Sequence, residues 1–426
     1  MVTKYLLAVS VLAGLAQAQP TYSGEVSRIM QEKCQMCHRP NDIAPFPLSS
    51  FEDAQTWAAD IKRVVSEGIM PPWKPVEGHG DFQDAYNLTA EQRRAIIDWV
   101  DAGAPMGDPA ELPEPKVTDS EWRLGEPDLV AQMAESYSPP RGRDVYRCFV
   151  VSNPFDETMY VSAVDVLPGN RKIVHHVIMF IDEKGQSPEL DAKEEGPGYT
   201  CFGGPGFDIS INSMLGGWAP GSFPRHYQDG LAIQIPKGAR LVMQVHYFPT
   251  VTAEDVTRVG LYLAQTDVKK LVRFIPVLND RFRIPPGAEN QVVTASFPIP
   301  PGLGAKIIQV FPHMHLLGRQ IKVEFTPLGR ETIPLIYIDN WDFNWQGFYN
   351  YKEQVSLPAL SNIRISCTFD NSENNPRNPN NPLKEVRWGE GTQDEMCLAF
   401  LGVTFDNEDL LRTIGILNKN KGVKSR

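Results

Sequence analysis

The sequence predicts a multidomain chain, with a small all-α domain first and a larger all-β part, divided in two, behind it. Apolar residues recur at helical spacing between Tyr22 and about Gly107, whereas alternating runs of strand length dominate beyond residue 127. The 33 Gly and 36 Pro are scattered among those runs as turn punctuation. With 426 residues, 42% hydrophobic and 22% charged, the chain can bury real cores and is neither a coiled coil nor a disordered polyelectrolyte. The 41 Lys+Arg against 52 Asp+Glu give a net charge of −11, and no basic block tracks a phosphate backbone, which argues against a nucleic-acid partner.

The elements follow in order. Lys4, the apolar run Tyr5 to Leu15 and the small-x-small Ala16-Gln17-Ala18 read as a secretory signal peptide over residues 1–18. The run is shorter than the ~20 residues of a spanning helix, and nothing comparable follows, so no membrane span is expected. A periplasmic or secreted protein is the expectation. Residues 19–108 form the helical domain: Val26, Ile29 and Met30 share one helical face, Trp57, Ile61, Val64 and Val65 another, and Ile96, Ile97 and Val100 a third. Pro109, Pro113, Pro115 and Pro127 mark a linker over 109–127. The strand-rich remainder is read as two domains, 128–275 and 276–426, with Asn371 to Pro382 as a surface loop.

Six cysteines in an exported chain suggest three disulfides by default, but Cys34-Gln35-Met36-Cys37-His38 is the C-x-x-C-H pattern of covalent haem c. Two thiols bond the haem vinyl groups and the adjacent imidazole becomes an axial ligand. Met70 is the candidate second ligand, Met106 its competitor; the alternatives are a redox dithiol or half a zinc site, and no second Cys pair is left for zinc. Residues 22–108 thereby resemble class I cytochrome c domains. Cys148, Cys201, Cys367 and Cys397 can pair in three ways, and sequence order favours Cys148 with Cys201 and Cys367 with Cys397.

Of the eight histidines, five beyond His38 fall in tight contexts: His175-His176, His246, and His313-Met314-His315. In a strand, residues i and i+2 share a face, so His313 and His315 can converge on one metal ion with Phe311 beside them. Adjacent His175 and His176 point to opposite faces, so joint coordination demands a strand end, a bulge or different ring nitrogens. His79 and His226 are read as ordinary structural residues.

Val174-His175-His176-Val177, Gln244-Val245-His246-Tyr247, His313-Met314-His315-Leu316-Leu317-Gly318-Arg319 and Asp394-Glu395-Met396-Cys397 occur in that order, with Asn340-Trp341-Asp342-Phe343-Asn344-Trp345-Gln346 between the last two. Together, over roughly residues 122 to 410, they resemble the copper type II, ascorbate-dependent monooxygenases, the family of peptidylglycine α-hydroxylating monooxygenase and dopamine β-monooxygenase. The resemblance implies two antiparallel jelly-roll sandwiches with copper sites facing a cleft. His175, His176 and His246 would hold an electron-storing copper; His313, His315 and Met396 would hold the oxygen-activating one, because a thioether favours Cu(I). It implies hydroxylation of a C–H bond of a small-molecule substrate by dioxygen, with ascorbate or a redox protein as electron donor. The upstream haem segment would relay electrons to the coppers, and a Cys367–Cys397 disulfide would hold Met396 in place.

Three positions that hold a peptide carboxylate or follow the methionine ligand in the peptide-hydroxylating branch are here Phe311, Leu398 and Phe400. All are apolar, which points to a neutral or aromatic substrate, with Gln244 a candidate polar contact. The competing readings are a non-catalytic electron carrier or copper-binding protein, and a structural adhesion or scaffold protein.

Overall fold

A computed structural model of the chain describes residues 19–40, 42–83, 85–115, 120–249 and 251–413; the expected signal peptide lies outside them. The described residues gather into two compact units. One is drawn from residues 1–73 and 86–117, the other from 74–85 and 118–426.

The second unit contains four larger sheets arranged as two successive sandwiches. In the first sandwich, one sheet runs Tyr199–Thr200, Val145–Val150, Arg240–Tyr247, Val174–Asp182, Met214–Trp218, and the facing one Leu129–Gln132, Arg258–Leu263, Met159–Leu167, Leu231–Ile235, Lys270–Leu271. Their named pairings are antiparallel except for Lys270–Leu271 beside Leu231–Ile235. Val177, Met179, Leu241 and Val245 of one sheet pack with Val161, Val166, Ile233 and Leu261 of the other, all buried in one cluster. Burying each such side chain is worth roughly 1.5–3 kcal/mol.

The second sandwich pairs Arg273–Asn279, Cys397–Phe405, Ala305–His313 and Tyr349–Leu357 in one sheet, and Gln291–Pro298, Asn362–Phe369, Gly318–Thr326 and Ile333–Ile338 in the other. Asn362–Phe369 shows the period of two plainly: Ile363, Ile365, Cys367 and Phe369 are buried while Asn362 and Arg364 are exposed. Cys367 is bonded to Cys397 across these two sheets, and Cys148 to Cys201 within the first sandwich. The domain boundary expected at residue 276 falls inside the strand Arg273–Asn279.

The expected all-α cytochrome c-like domain is overturned. Helices are few, about 13%, and among the described residues no distinct all-α cytochrome c domain is formed. The helical signals are real but short: Ser27–Lys33, Phe51–Thr56, Ala58–Ser66 and Ala90–Asp101, which bury Ile29, Met30, Ile61, Val65, Ile96 and Trp99 in one small cluster. Between them residues 74–85 leave the helical unit for the β unit. Val76 donates its N–H to Tyr337 O at 2.8 Å, Gln83 donates to Asn350 O at 2.8 Å, and Pro75 and Phe82 bridge to Ile338 and Tyr351. Pro71, Pro72 and Pro75 explain the departure, since each lacks the N–H a helix needs and sets its predecessor to extended backbone.

Candidate metal centre

The first imidazole set lies on two neighbouring strands of the first sandwich. His176 and His246 are register partners of Val174–Asp182 and Arg240–Tyr247, and the register slips between Val174 and His176. That irregularity brings His175 and His176 to one side despite their adjacency, with Nδ1 of each 3.2 Å apart. Ligand atoms of His175, His176 and His246 all lie within 4.8 Å of one another. His246 Nε2 donates to Asp144 Oδ1 at 2.7 Å, whereas its buried Nδ1 has no hydrogen-bond partner. The Tyr146 ring stacks on His246 at 4.1 Å and 8°.

The second set lies in the second sandwich. His313 ends the strand Ala305–His313, and His315 follows in the turn. His313 Nδ1 donates to Gln346 Oε1 at 2.5 Å and His315 Nδ1 to Asp394 O at 3.1 Å. Both outer nitrogens are therefore engaged, and the two Nε2 atoms meet at 3.1 Å. Met396 is buried, next to the strand Cys397–Phe405, whose Leu398 is the register partner of His313. Glu395 fastens this set from behind: Oε2 accepts from His315 N at 2.9 Å and Met396 N at 3.3 Å, and Oε1 from Leu317 N at 2.6 Å. Burial pushes the Glu395 carboxyl up to about 8, against the pull of these N–H donors.

The two sets face each other. His176 and His313 have ring centroids 6.2 Å apart, and Phe343 stacks on His175 at 4.5 Å while lying 5.8 Å from His315. Burial and the neighbouring imidazoles push His175 down to about 3, and burial takes His313 down to about 4. His176, His246 and His315 are lowered too, chiefly by burial, so all five rings are neutral near pH 7.

This arrangement fits copper. Neutral imidazoles suit copper, and His246, His313 and His315 each have one nitrogen fixed by a protein acceptor with the other left for a metal; an added thioether such as that of Met396 would suit the cuprous state.

Phe311, Phe400, His313 and Leu398 are cross-strand neighbours on one sheet face. The Phe311 ring stacks on Phe348 at 4.3 Å and lies 6.1 Å from His313. Gln244 is buried, and its amide donates to Cys201 O at 3.0 Å, so its polar end is directed to the disulfide.

In the helical unit, Cys34 and Cys37 are not joined in a disulfide, and burial pushes Cys34 up to about 12. His38 Nδ1 donates to Phe46 O at 3.0 Å, which leaves Nε2 open to a ligand. These are the three residues of the C-x-x-C-H pattern. Met70 is 37% exposed, whereas Met106 packs partly buried against the helical cluster.

Residues 270–405 match the family described as copper type II ascorbate-dependent monooxygenase, C-terminal domain. DBH-like monooxygenase protein 1 of Homo sapiens is 25% identical over 288 residues, 62% of this chain and 44% of that protein. Its Gallus gallus counterpart is 25% identical over 281 residues, 60% of this chain and 44% of that protein. MOXD1 homolog 2 of Drosophila melanogaster is 23% identical over 212 residues, 44% of this chain and 28% of that protein. The chain thus spans less than half the length of these curated relatives. Among solved structures, the major capsid protein P2 from bacteriophage PM2 is 8% identical and aligns over 66% of this chain and 99% of its own at a TM-score of 0.26, a likeness that carries no argument. No described helix is long and apolar enough to cross a membrane, and the two disulfides fit an oxidising secretory or lumenal compartment. The chain is thus similar to the copper type II, ascorbate-dependent monooxygenases, through their C-terminal domain over residues 270–405, and to DBH-like monooxygenase proteins over about 60% of its length.

Proposed function

We propose that the chain hydroxylates a C–H bond of a small neutral or aromatic molecule: one atom of dioxygen enters the bond, and the other leaves as water with two protons and two electrons from ascorbate or a redox protein. When bound, copper supplies the dioxygen binding and the one-electron steps. His175, His176 and His246 hold one ion; His313, His315 and Met396 hold the other. Asp144, Gln346 and the Asp394 carbonyl keep the outer nitrogens of His246, His313 and His315 protonated, so that the inner ones carry lone pairs toward the metal. Phe311, Leu398 and Phe400 offer an apolar face beside His313 with no charge for a free carboxylate.

The observation that carries this reading is the apposition of His176 and His313 at 6.2 Å, each within its own set of neutral imidazoles. The finer parts of the reading are secretion and a haem c on Cys34, Cys37 and His38, with Met70 as second ligand, that passes electrons singly to the coppers. The C-x-x-C-H spacing of Cys34, Cys37 and His38 supports the haem. The test is to supply the copper-loaded protein with ascorbate, ¹⁸O₂ and a panel of neutral aromatic and aliphatic compounds. Single ¹⁸O incorporation that stops in Met396→Ala supports the reading. Ascorbate oxidation that is equal in both proteins and yields no labelled product opposes it.

A further inference from the structure

Asp144 lies just ahead of the strand Val145–Val150, in which Tyr146 is the register partner of His246. Its carboxylate is engaged on two sides. Oδ1 accepts from His246 Nε2 at 2.7 Å and from Thr392 Oγ1 at 2.6 Å, while Oδ2 accepts from Thr392 N at 2.9 Å. Thr392 is buried and belongs to the 389–395 loop, which ends at Met396. The loop is braced internally: Asp394 N donates to Gly391 O at 2.8 Å, and Gly391 N to Asp394 Oδ2 at 3.2 Å. Its Asp394 carbonyl receives His315 Nδ1, and its Glu395 carboxylate receives the N–H groups of His315 and Met396. Tyr146 adds a second tie, donating its hydroxyl to Glu390 O at 2.7 Å while its ring covers His246.

From these contacts we infer that Asp144 is a positioning residue that couples the two copper sites, holding His246 in its Nε2–H tautomer and fastening to it the loop that carries Met396 and orients His315. The inference rests on the copper reading above and adds a link that neither ligand set contains by itself. The physical reason is the shared carboxylate. A metal at His246 Nδ1 makes the ring a stronger Nε2–H donor, which draws Asp144 toward it, and the two Thr392 bonds pass that constraint to the loop. By reciprocity, a loop already ordered by copper at Met396 presents Asp144 in place for His246.

The test uses the full chain and copper ions, with Cu(I) affinities of both sites measured by chelator competition and Cu–S scattering from X-ray absorption reporting Met396. Asp144→Asn retains an oxygen to accept from His246 but turns an N–H₂ toward the Thr392 N–H. It is expected to leave the three-histidine site within about threefold of wild type while weakening the Met396 site about tenfold or more. Asp144→Ala is expected to weaken both sites. Amide exchange of residues 390–396 in the metal-free proteins is expected to rise in both variants, a readout independent of any loaded ion. Wild-type chain that fails to hold two copper ions overturns the monooxygenase reading. Two ions held with wild-type affinity at the Met396 site in Asp144→Asn, and unchanged loop exchange, overturn the clasp alone.

Discussion

His176 and His313 belong to different sandwiches, yet their rings face each other with centroids 6.2 Å apart. Each belongs to a set of imidazoles buried deeply enough to stay neutral, the state in which a ring nitrogen offers a lone pair to the copper ions proposed above.

Replacing His176 by Ala removes a ligand from the first set and leaves the second complete. One copper per chain is expected instead of two, with the Cu–S signal retained. Metal analysis and X-ray absorption check this, and loss of both ions together would count against separate ligand sets.

Gln346 is buried, and its Oε1 is the acceptor for His313 Nδ1. Gln346→Leu leaves that N–H unpaired at a cost of about 1–3 kcal/mol. Denaturant unfolding is expected to register the loss in the metal-free protein, and copper at His313 and His315 to bind about tenfold more weakly.

The Cys367–Cys397 disulfide crosses the second sandwich one residue from Met396. Cys397→Ser is expected to lower copper affinity at the Met396 site more than at the three-histidine site. Equal loss at both sites in chelator competition contradicts this.

The folded state holds His175 near pH 3, whereas an unfolded histidine titrates near 6.5. Below about 6.5 the unfolded chain takes up a proton that the fold refuses, so this ring contributes a stability loss that grows as pH falls from 6.5 toward 3. The slope is at most about 1.4 kcal/mol per pH unit. Glu390 and Glu395, pushed up to about 7 and about 8 by burial, act in the opposite sense, so the comparison is made against a variant. Metal-free His175→Phe is expected to lose less stability than wild type between pH 7 and 5 in urea titrations; parallel losses contradict it.

Much of the β architecture was legible because strands such as Asn362–Phe369 alternate cleanly, and five histidines stood out by their tight motif contexts, although only His313 and His315 have the spacing of one strand face. The register slip beside His175 was foreseen only as one of several requirements for a shared site, since a bulge is set by pairing with a partner strand some seventy residues away. Gln346 and Glu395 lay inside the motifs, but their roles as acceptors appear only once the chain is folded. Asp144 carried no signal at all: its partners His246 and Thr392 are 102 and 248 residues distant. The all-α domain failed for a related reason. Helical periodicity identified the pieces, but residues 74–85 obey prolines and long-range β pairing that periodicity does not record.

The most direct measurement of the central claim is copper stoichiometry combined with reoxidation by dioxygen after ascorbate reduction, in wild type and Met396→Ala. The account predicts two copper ions per chain, both reduced by ascorbate, with one sulfur neighbour and reoxidation that collapses in the variant. A chain that binds no copper, or one whose reoxidation proceeds equally without Met396, contradicts it.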